Sequence, residues 1–182
     1  LRLLYQPIVS LHGDPGERYE VYLRLIDKEG NEVSPKDFLP SAERTDVAKG
    51  LDRWVLINVF RKLVEKRKKS PDTIFFVKLT AGSLQDPTVL PWIAEKLKEA
   101  RLPAESVVLE MKEETILNYL KQAKEFVKGL KQINCAFALD DFGTGLDPFQ
   151  LLKHIEAEYL KVDRSFMENI TGNQENQDAV KS

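Results

Sequence analysis

Two adjacent carboxylates, Asp140 and Asp141, end an apolar run in the stretch "CAFALDDFGTGLD", and a glycine-bracketed turn follows at once. Acids packed so tightly at the end of a strand suit a metal ion or a polar ligand. Other polar residues stand in similar places: Glu20 in "YEVYLRL", Lys78 in "TIFFVKL", Glu110 in "SVVLEM", Lys161 and Asp163 in "AEYLKVD". A charged residue alone in an apolar strand costs several kcal/mol unless it is paired, metal-bound or hydrogen-bonded. Their convergence would therefore make one polar site. The plainer reading of the same pattern is a ring of salt bridges tying strand ends together, Lys78 to Glu110 and Lys161 to Asp141.

Convergence requires elements that bring the strand ends to one face. Strands are expected at 3–11, 19–27, 73–79, 106–111, 135–142 and 157–163, from apolar runs bounded by turn residues. Helical periodicity covers 34–69, where Ser34 is the N-cap and Pro35 the first helical residue. It recurs at 87–102, at 113–133 as one helix ending near Gly129, and at 147–155. After a hairpin-like start, strands and helices alternate, which predicts an α/β fold with a mostly parallel sheet and crossover helices. In a parallel (β/α) barrel the carboxyl ends of the strands share one face, and chemistry sits there.

Composition narrows the classes. The 182 residues are 42% hydrophobic and 31% charged, with a formal net charge of −2, an ordinary globular balance for a single domain. The absence of a basic excess argues against a nucleic-acid binder, while leaving room for a local anion site. Cys135 is the one cysteine and lies in an apolar run; it is expected to be a buried thiol in a reducing compartment. No Cys/His zinc spacing, signal peptide or membrane-length apolar run of about 20 residues is present. The chain opens on Leu1 and is expected to be a segment of a longer protein.

The motifs together resemble a known family. "YQPIVSL", "YEVYLRL" in the place of E-A-L-L-R, "SPKDFLPSAE", "DRWVL", "VVLEMKEE", "LDDFGTG" and "YLKVDRSFM" occur in the order of the EAL domain, over residues 3–167. That family hydrolyses the bacterial second messenger cyclic di-GMP. The resemblance implies a TIM-like (β/α) barrel of the EAL type. It spans 1–182 as a single domain, incomplete at its C-terminal end because the A-E-G-V-E and Q-G-Y segments are not found. It also implies a two-metal phosphodiester hydrolysis using Mg2+ or Mn2+. Glu20, Glu110 and Asp140 or Asp141 take metal-ligand positions, and Lys161 matches the catalytic-face lysine of L-K-I-D. For the dinucleotide the resemblance implies Gln6, Pro7, Glu20, Leu23, Arg24, Pro40 and Asp141. Plainer roles compete: Arg24 paired with Asp27 or Glu43, Gln6 as a barrel hydrogen bonder, and Asp163-Arg164 as a helix cap.

The departures from the family decide the expectation. "FVKLT" stands for V-N-L-S, so Lys78 replaces a metal-binding asparagine. An ammonium has no lone pair and repels a divalent ion. Val21 and Tyr22 replace the alanine and leucine of the motif, and "DDFGTGLDPFQLL" lacks the Y-S-S-L continuation. The site residues Glu20, Glu110, Asp140, Asp141 and Lys161 are therefore expected to be vestigial as catalysts, with no metal cofactor bound. The resemblance is to degenerate EAL receptors of cyclic di-GMP in type IV pilus and twitching-motility regulation, which are cytoplasmic. It implies companion sensory or GGDEF domains before Leu1 and a PilZ-type adaptor as partner. Neither nucleic acid nor membrane insertion is expected. An unclosed sheet edge predicts homo-oligomers. A weak phosphodiesterase and a nucleotide-free interaction module are the alternatives.

Overall fold

The computed structural model describes residues 1–33, 47–145, 147–167, 172 and 177–178. Among these, seven strands form one sheet in the order β1-β2-β4-β5-β6-β7, with β3 paired to β2. β1 (Arg2–Ile8) and β2 (Arg18–Ile26) form the opening antiparallel hairpin. β3 (Glu32–Val33) also lies antiparallel on β2. From there the pairing is parallel: β2 with β4 (Ile74–Lys78), then β5 (Val107–Lys112), β6 (Ala136–Phe142) and β7 (Tyr159–Val162).

Each parallel step requires a crossover, and helices supply it. They are α1 (Val47–Arg67), α2 (Ala81–Leu84), α3 (Val89–Glu99), α4 (Glu113–Asn118), α5 (Leu120–Gln132) and α6 (Pro148–Leu152). The parallel sheet with crossover helices is what the strand–helix alternation predicts, and the arrangement is that of a (β/α) barrel, partial at its C-terminal end, as the family resemblance implies.

Strand parity decides where the site lies. Successive side chains point to opposite faces of a strand. Val21, Phe75, Val77, Val107, Leu109, Met111, Phe137 and Leu139 share one face and join the main apolar core. The helices cover that face with Leu56, Val59, Phe60 and Leu63 of α1, Ile93 and Leu97 of α3, and Phe126 and Leu130 of α5. Full burial of each large aliphatic or aromatic side chain stabilises by about 1.5–3 kcal/mol, so these contacts dominate the fold. The alternate residues build a second, smaller apolar layer on the other face: Phe76, Val108 and Ala138, flanked by Ile74, Ala136 and Tyr159. One pleat further toward the carboxyl ends, the same face carries Lys78, Glu110, Asp140 and Lys161.

Several local expectations change. The stretch 113–133 is two helices, broken at Tyr119 (φ −133°, ψ 42°). Gly129 does not end the second helix. It lies inside α5 where Leu90 of α3 crosses, and a β-carbon there would meet Leu90 Cδ1 at 2.5 Å. β3 and α2 are too short to show a period in the sequence. Ser34, Pro35 and Pro40 lie outside the described residues.

Candidate functional site

Glu20, Glu110 and Asp140 are all buried, at 3%, 0% and 5% relative exposure. They meet two ammonium groups. Lys161 Nζ lies 2.6 Å from Glu20 Oε2, 3.2 Å from Glu110 Oε2 and 3.9 Å from Asp140 Oδ1. Lys78 Nζ lies 2.7 Å from Asp140 Oδ2 and 3.9 Å from Glu20 Oε1. The strand ends do converge, but the pairing differs from the one expected. Lys78 meets Asp140 rather than Glu110, and Lys161 meets Glu20 and Glu110 rather than Asp141.

The proton balance of this layer follows from burial. Desolvation first, then the hydrogen bond with Glu20 and its charge, push Glu110 up to about 8, so it keeps its proton at neutral pH. The ammonium groups of Lys78 and Lys161 then stand against the two remaining acids, Glu20 and Asp140. Burial works against the charge on Lys161, but the surrounding carboxylates, Glu110 first, outweigh it and raise the group to about 12. Burial also opposes the charge on Lys78, and the hydrogen bond and charge of Asp140 reverse it to a net upward shift. Glu20 Oε1, Glu110 Oε1 and Asp140 Oδ2 are buried without an aligned hydrogen-bond donor. A proton on Glu110 provides a donor for Glu20, while Asp140 Oδ2 is held by the Lys78 ion pair.

Asp141 does not join the layer. It takes a left-handed conformation (φ 54°), at an irregularity between Leu139 and Phe142 where β6 slips against β7. Such a bulge re-aims neighbouring side chains. Here Asp140 points inward, and the half-exposed Asp141 reaches Lys112 at 3.8 Å. Of the two family positions, Asp140 is therefore the one within the cluster.

Along β2, Tyr22 and Arg24 continue the face begun by Glu20. Arg24 donates to Leu23 O at 3.0 Å, sits 3.7 Å from Glu32 Oε2 and lies 5.4 Å over the Tyr22 ring. Its acidic neighbour is thus Glu32 of β3. Gln6 is exposed and directly opposite Glu20 in the ladder, where it can reach a ligand on that face. Leu23 departs from expectation: its side chain turns to the helix side and packs on the core, because it is one residue out of phase with Glu20. Pro7 pairs with Tyr19, which also packs on the core, so it too is out of phase with Gln6. Asp163 caps the 3-10 turn Arg164–Phe166, accepting from Ser165 N at 2.8 Å, the plainer of its two readings.

Two buried acids unnoticed in the sequence hold the loops at the site. Glu113 Oε2 accepts the backbone N–H of Gly143, Thr144 and Gly145 at 3.1, 3.0 and 3.0 Å. The "FGTG" turn is thereby pinned from below, while a β-carbon on Gly143 (φ +102°) would lie 2.8 Å from Phe166. Asp52 of α1 accepts from Thr80 N at 3.0 Å and from Ser83 Oγ at 2.6 Å, fixing the chain just past Lys78. In the sequence Glu113 shows only as an acid in the first turn of a helix, and the glycine turn that it holds stands 30 residues further on.

A model of the EAL domain matches residues 1–182. The chain belongs to the EAL domain family. Among solved structures, the FimX EAL domain of Pseudomonas aeruginosa bound to c-di-GMP is 44% identical. It superposes with a TM-score of 0.91, covering 99% of this chain and 72% of that one. The Xanthomonas citri FimX EAL domain in complex with c-diGMP is 32% identical with a TM-score of 0.85, covering 97% and 69%. Cyclic di-GMP phosphodiesterase PdeF of Escherichia coli K12 is 31% identical over 171 residues, 94% of this chain and 23% of PdeF. The chain thus spans roughly a quarter of the length of such curated relatives.

The donor set of this EAL domain fits a divalent pair poorly. Carboxylate oxygens of Glu20, Glu110 and Asp140 are present, but Lys78 brings no lone pair. Its ammonium lies in contact with Asp140 and within 4 Å of Glu20, so a divalent cation brought to those acids would meet its positive charge.

Proposed function

We propose that this EAL domain is a cyclic di-GMP receptor that does not hydrolyse its ligand. The observation that carries the reading is the Lys78 ammonium between Asp140 and Glu20. In a catalytic EAL site, metal ions neutralise the carboxylates and activate water. Here Lys78 and Lys161 neutralise the same layer, and a dianionic ligand meets no net negative field above it. Neither ammonium can take the metal's role of generating hydroxide, since an ammonium only donates.

Binding then rests on the rim. Arg24 offers a charge-assisted bond to a phosphate. Gln6 and Glu20 supply hydrogen-bonding groups on the same face, and Asp141 a further acceptor at its edge. Pro7 and Leu23 act through backbone and shape, and Pro40 completes the family set. The likeness to FimX EAL domains bound to the dinucleotide supports this reading. We extend the proposal to type IV pilus and twitching-motility signalling in the cytoplasm, with a PilZ-type adaptor and self-association as further interactions. No helix among the described residues is long and apolar enough to cross a membrane.

Calorimetric titration with cyclic di-GMP, with and without Mn2+, followed by product analysis, tests the proposal. Metal-independent binding with intact nucleotide is expected. Mn2+-dependent linear product would make the domain a phosphodiesterase, the reading favoured by the likeness to PdeF. No binding under either condition would leave an interaction module.

A further inference from the structure

We propose that Tyr22 is a positioning residue whose ring holds the Arg24 guanidinium and the Lys78 ammonium together as a two-cation rim for an anionic phosphodiester. The ligand part of this inference rests on the receptor reading; the positioning part does not.

The Tyr22 ring carries Arg24 at 5.4 Å and Lys78 at 5.6 Å from its centroid. Among the described residues, the other rings with a cation, Trp92 and Tyr19, carry one each. The pleat explains the placement. Glu20 pairs with Phe76 and Val21 with Val77, so the next step of the ladder sets Tyr22 beside Lys78, and Arg24 follows two residues on. Two like charges drawn to one ring repel each other, and the negative π-face offsets that repulsion. A leucine, the residue of the family's motif at this position, has no such face.

Arg24 needs the support. Its carboxylate contact is 3.7 Å long, to a Glu32 side chain that is 53% exposed, so that pair holds it weakly. Among the described residues its one hydrogen bond goes to the neighbouring Leu23 carbonyl. Lys78 is tied at its other side to Asp140. Tyr22 thus couples the charge-neutralising layer to the group that meets phosphate. Its own hydroxyl has no hydrogen-bond partner among the described residues, so ring and hydroxyl can be tested separately.

The test compares wild type, Tyr22→Phe and Tyr22→Leu, each checked for an unchanged thermal transition. Without nucleotide, side-chain NMR should show ring-current shifts on the Arg24 δ- and Lys78 ε-methylenes in wild type and Y22F. Those shifts should vanish in Y22L, and the Arg24 Nε order parameter should fall. With cyclic di-GMP, Y22L should bind about three- to ten-fold more weakly and Y22F within about two-fold of wild type. Unchanged Arg24 shifts and mobility in Y22L would overturn the positioning role, whatever the affinity. A Y22F loss as large as that of Y22L would also overturn it, by assigning the effect to the hydroxyl. If Arg24→Ala loses binding and Y22L does not, Tyr22 fails and the receptor reading stands. If wild type binds no nucleotide, the receptor reading fails and the NMR comparison alone decides Tyr22.

Discussion

Replacing Lys78 with asparagine should destabilise the protein and give its site an appetite for divalent cations. In the native layer Asp140 is 5% exposed and its nearest cation is Lys78, at 2.7 Å. Lys161 is 3.9 Å from the other oxygen and already serves Glu20 and Glu110. Removing one partner of a fully buried ion pair costs about 3–5 kcal/mol. The Lys78 side chain is 40% exposed, so solvent screens part of this and about 1–3 kcal/mol is the reasonable range. For a domain of this size that lowers Tm by roughly 3–10 °C. The asparagine also adds a carbonyl oxygen beside two buried carboxylates, a donor set for a hard cation. Mn2+ at a hundred times its Kd would then return about 2.7 kcal/mol. Thermal unfolding followed by circular dichroism, with Mn2+ titrated against both proteins, reads all of this. Wild type should be indifferent to Mn2+, and Lys78→Asn should melt lower and recover. A variant that melts with wild type and ignores Mn2+, or a wild type that Mn2+ stabilises strongly, would refute the reasoning.

Arg24→Ala should leave the fold intact and weaken cyclic di-GMP binding by about 1.5–3 kcal/mol, one to two powers of ten; unchanged affinity by calorimetry would remove Arg24 from the binding surface. Glu110 is raised from 4.5 to about 8, so the folded protein holds this proton where the unfolded chain has lost it. Stability should be undiminished below about pH 4.5, fall through the interval, and carry the full penalty above about pH 8, on the order of a few kcal/mol. Glu110→Gln should flatten that slope in denaturant titrations, and an unaltered slope would assign it elsewhere. Glu113→Ala strips the acceptor from three backbone N–H groups; it should cost about 1–3 kcal/mol and speed amide exchange at Gly143, Thr144 and Gly145, whereas unchanged protection there would show the turn to be held by Phe166 alone.

The sheet and its polar face were legible because both follow from parity. Phe76 and Lys78, Val108 and Glu110, Ala138 and Asp140 each stand two residues apart, and two is the period of a strand. Partner choice was not legible. Parity from Ala138 sets Asp140 on the polar face, but which ammonium it meets depends on the register of β6 against β7, which is irregular between Leu139 and Phe142. The direction of Leu23 was obscured by its place beside Arg24 in the motif, although alternation from Glu20 already sets it on the helix side. The break at Tyr119 is hidden because the apolar period continues across it. Glu113 and Asp52 are hidden because their partners are 30 and 28 residues away.

The Lys78 ammonium differs from a bound metal ion in being joined to β4 by its own side chain. A dissociable cation fills a site according to supply, and chelation or dilution empties it. A tethered one has a local concentration set by four methylene groups, and neither treatment changes it. If the receptor reading holds, the polar layer between Glu20, Glu110 and Asp140 keeps its charge balance through swings in free magnesium or manganese. On that reading the surface proposed to face the ligand would be insulated from the ionic state of its surroundings.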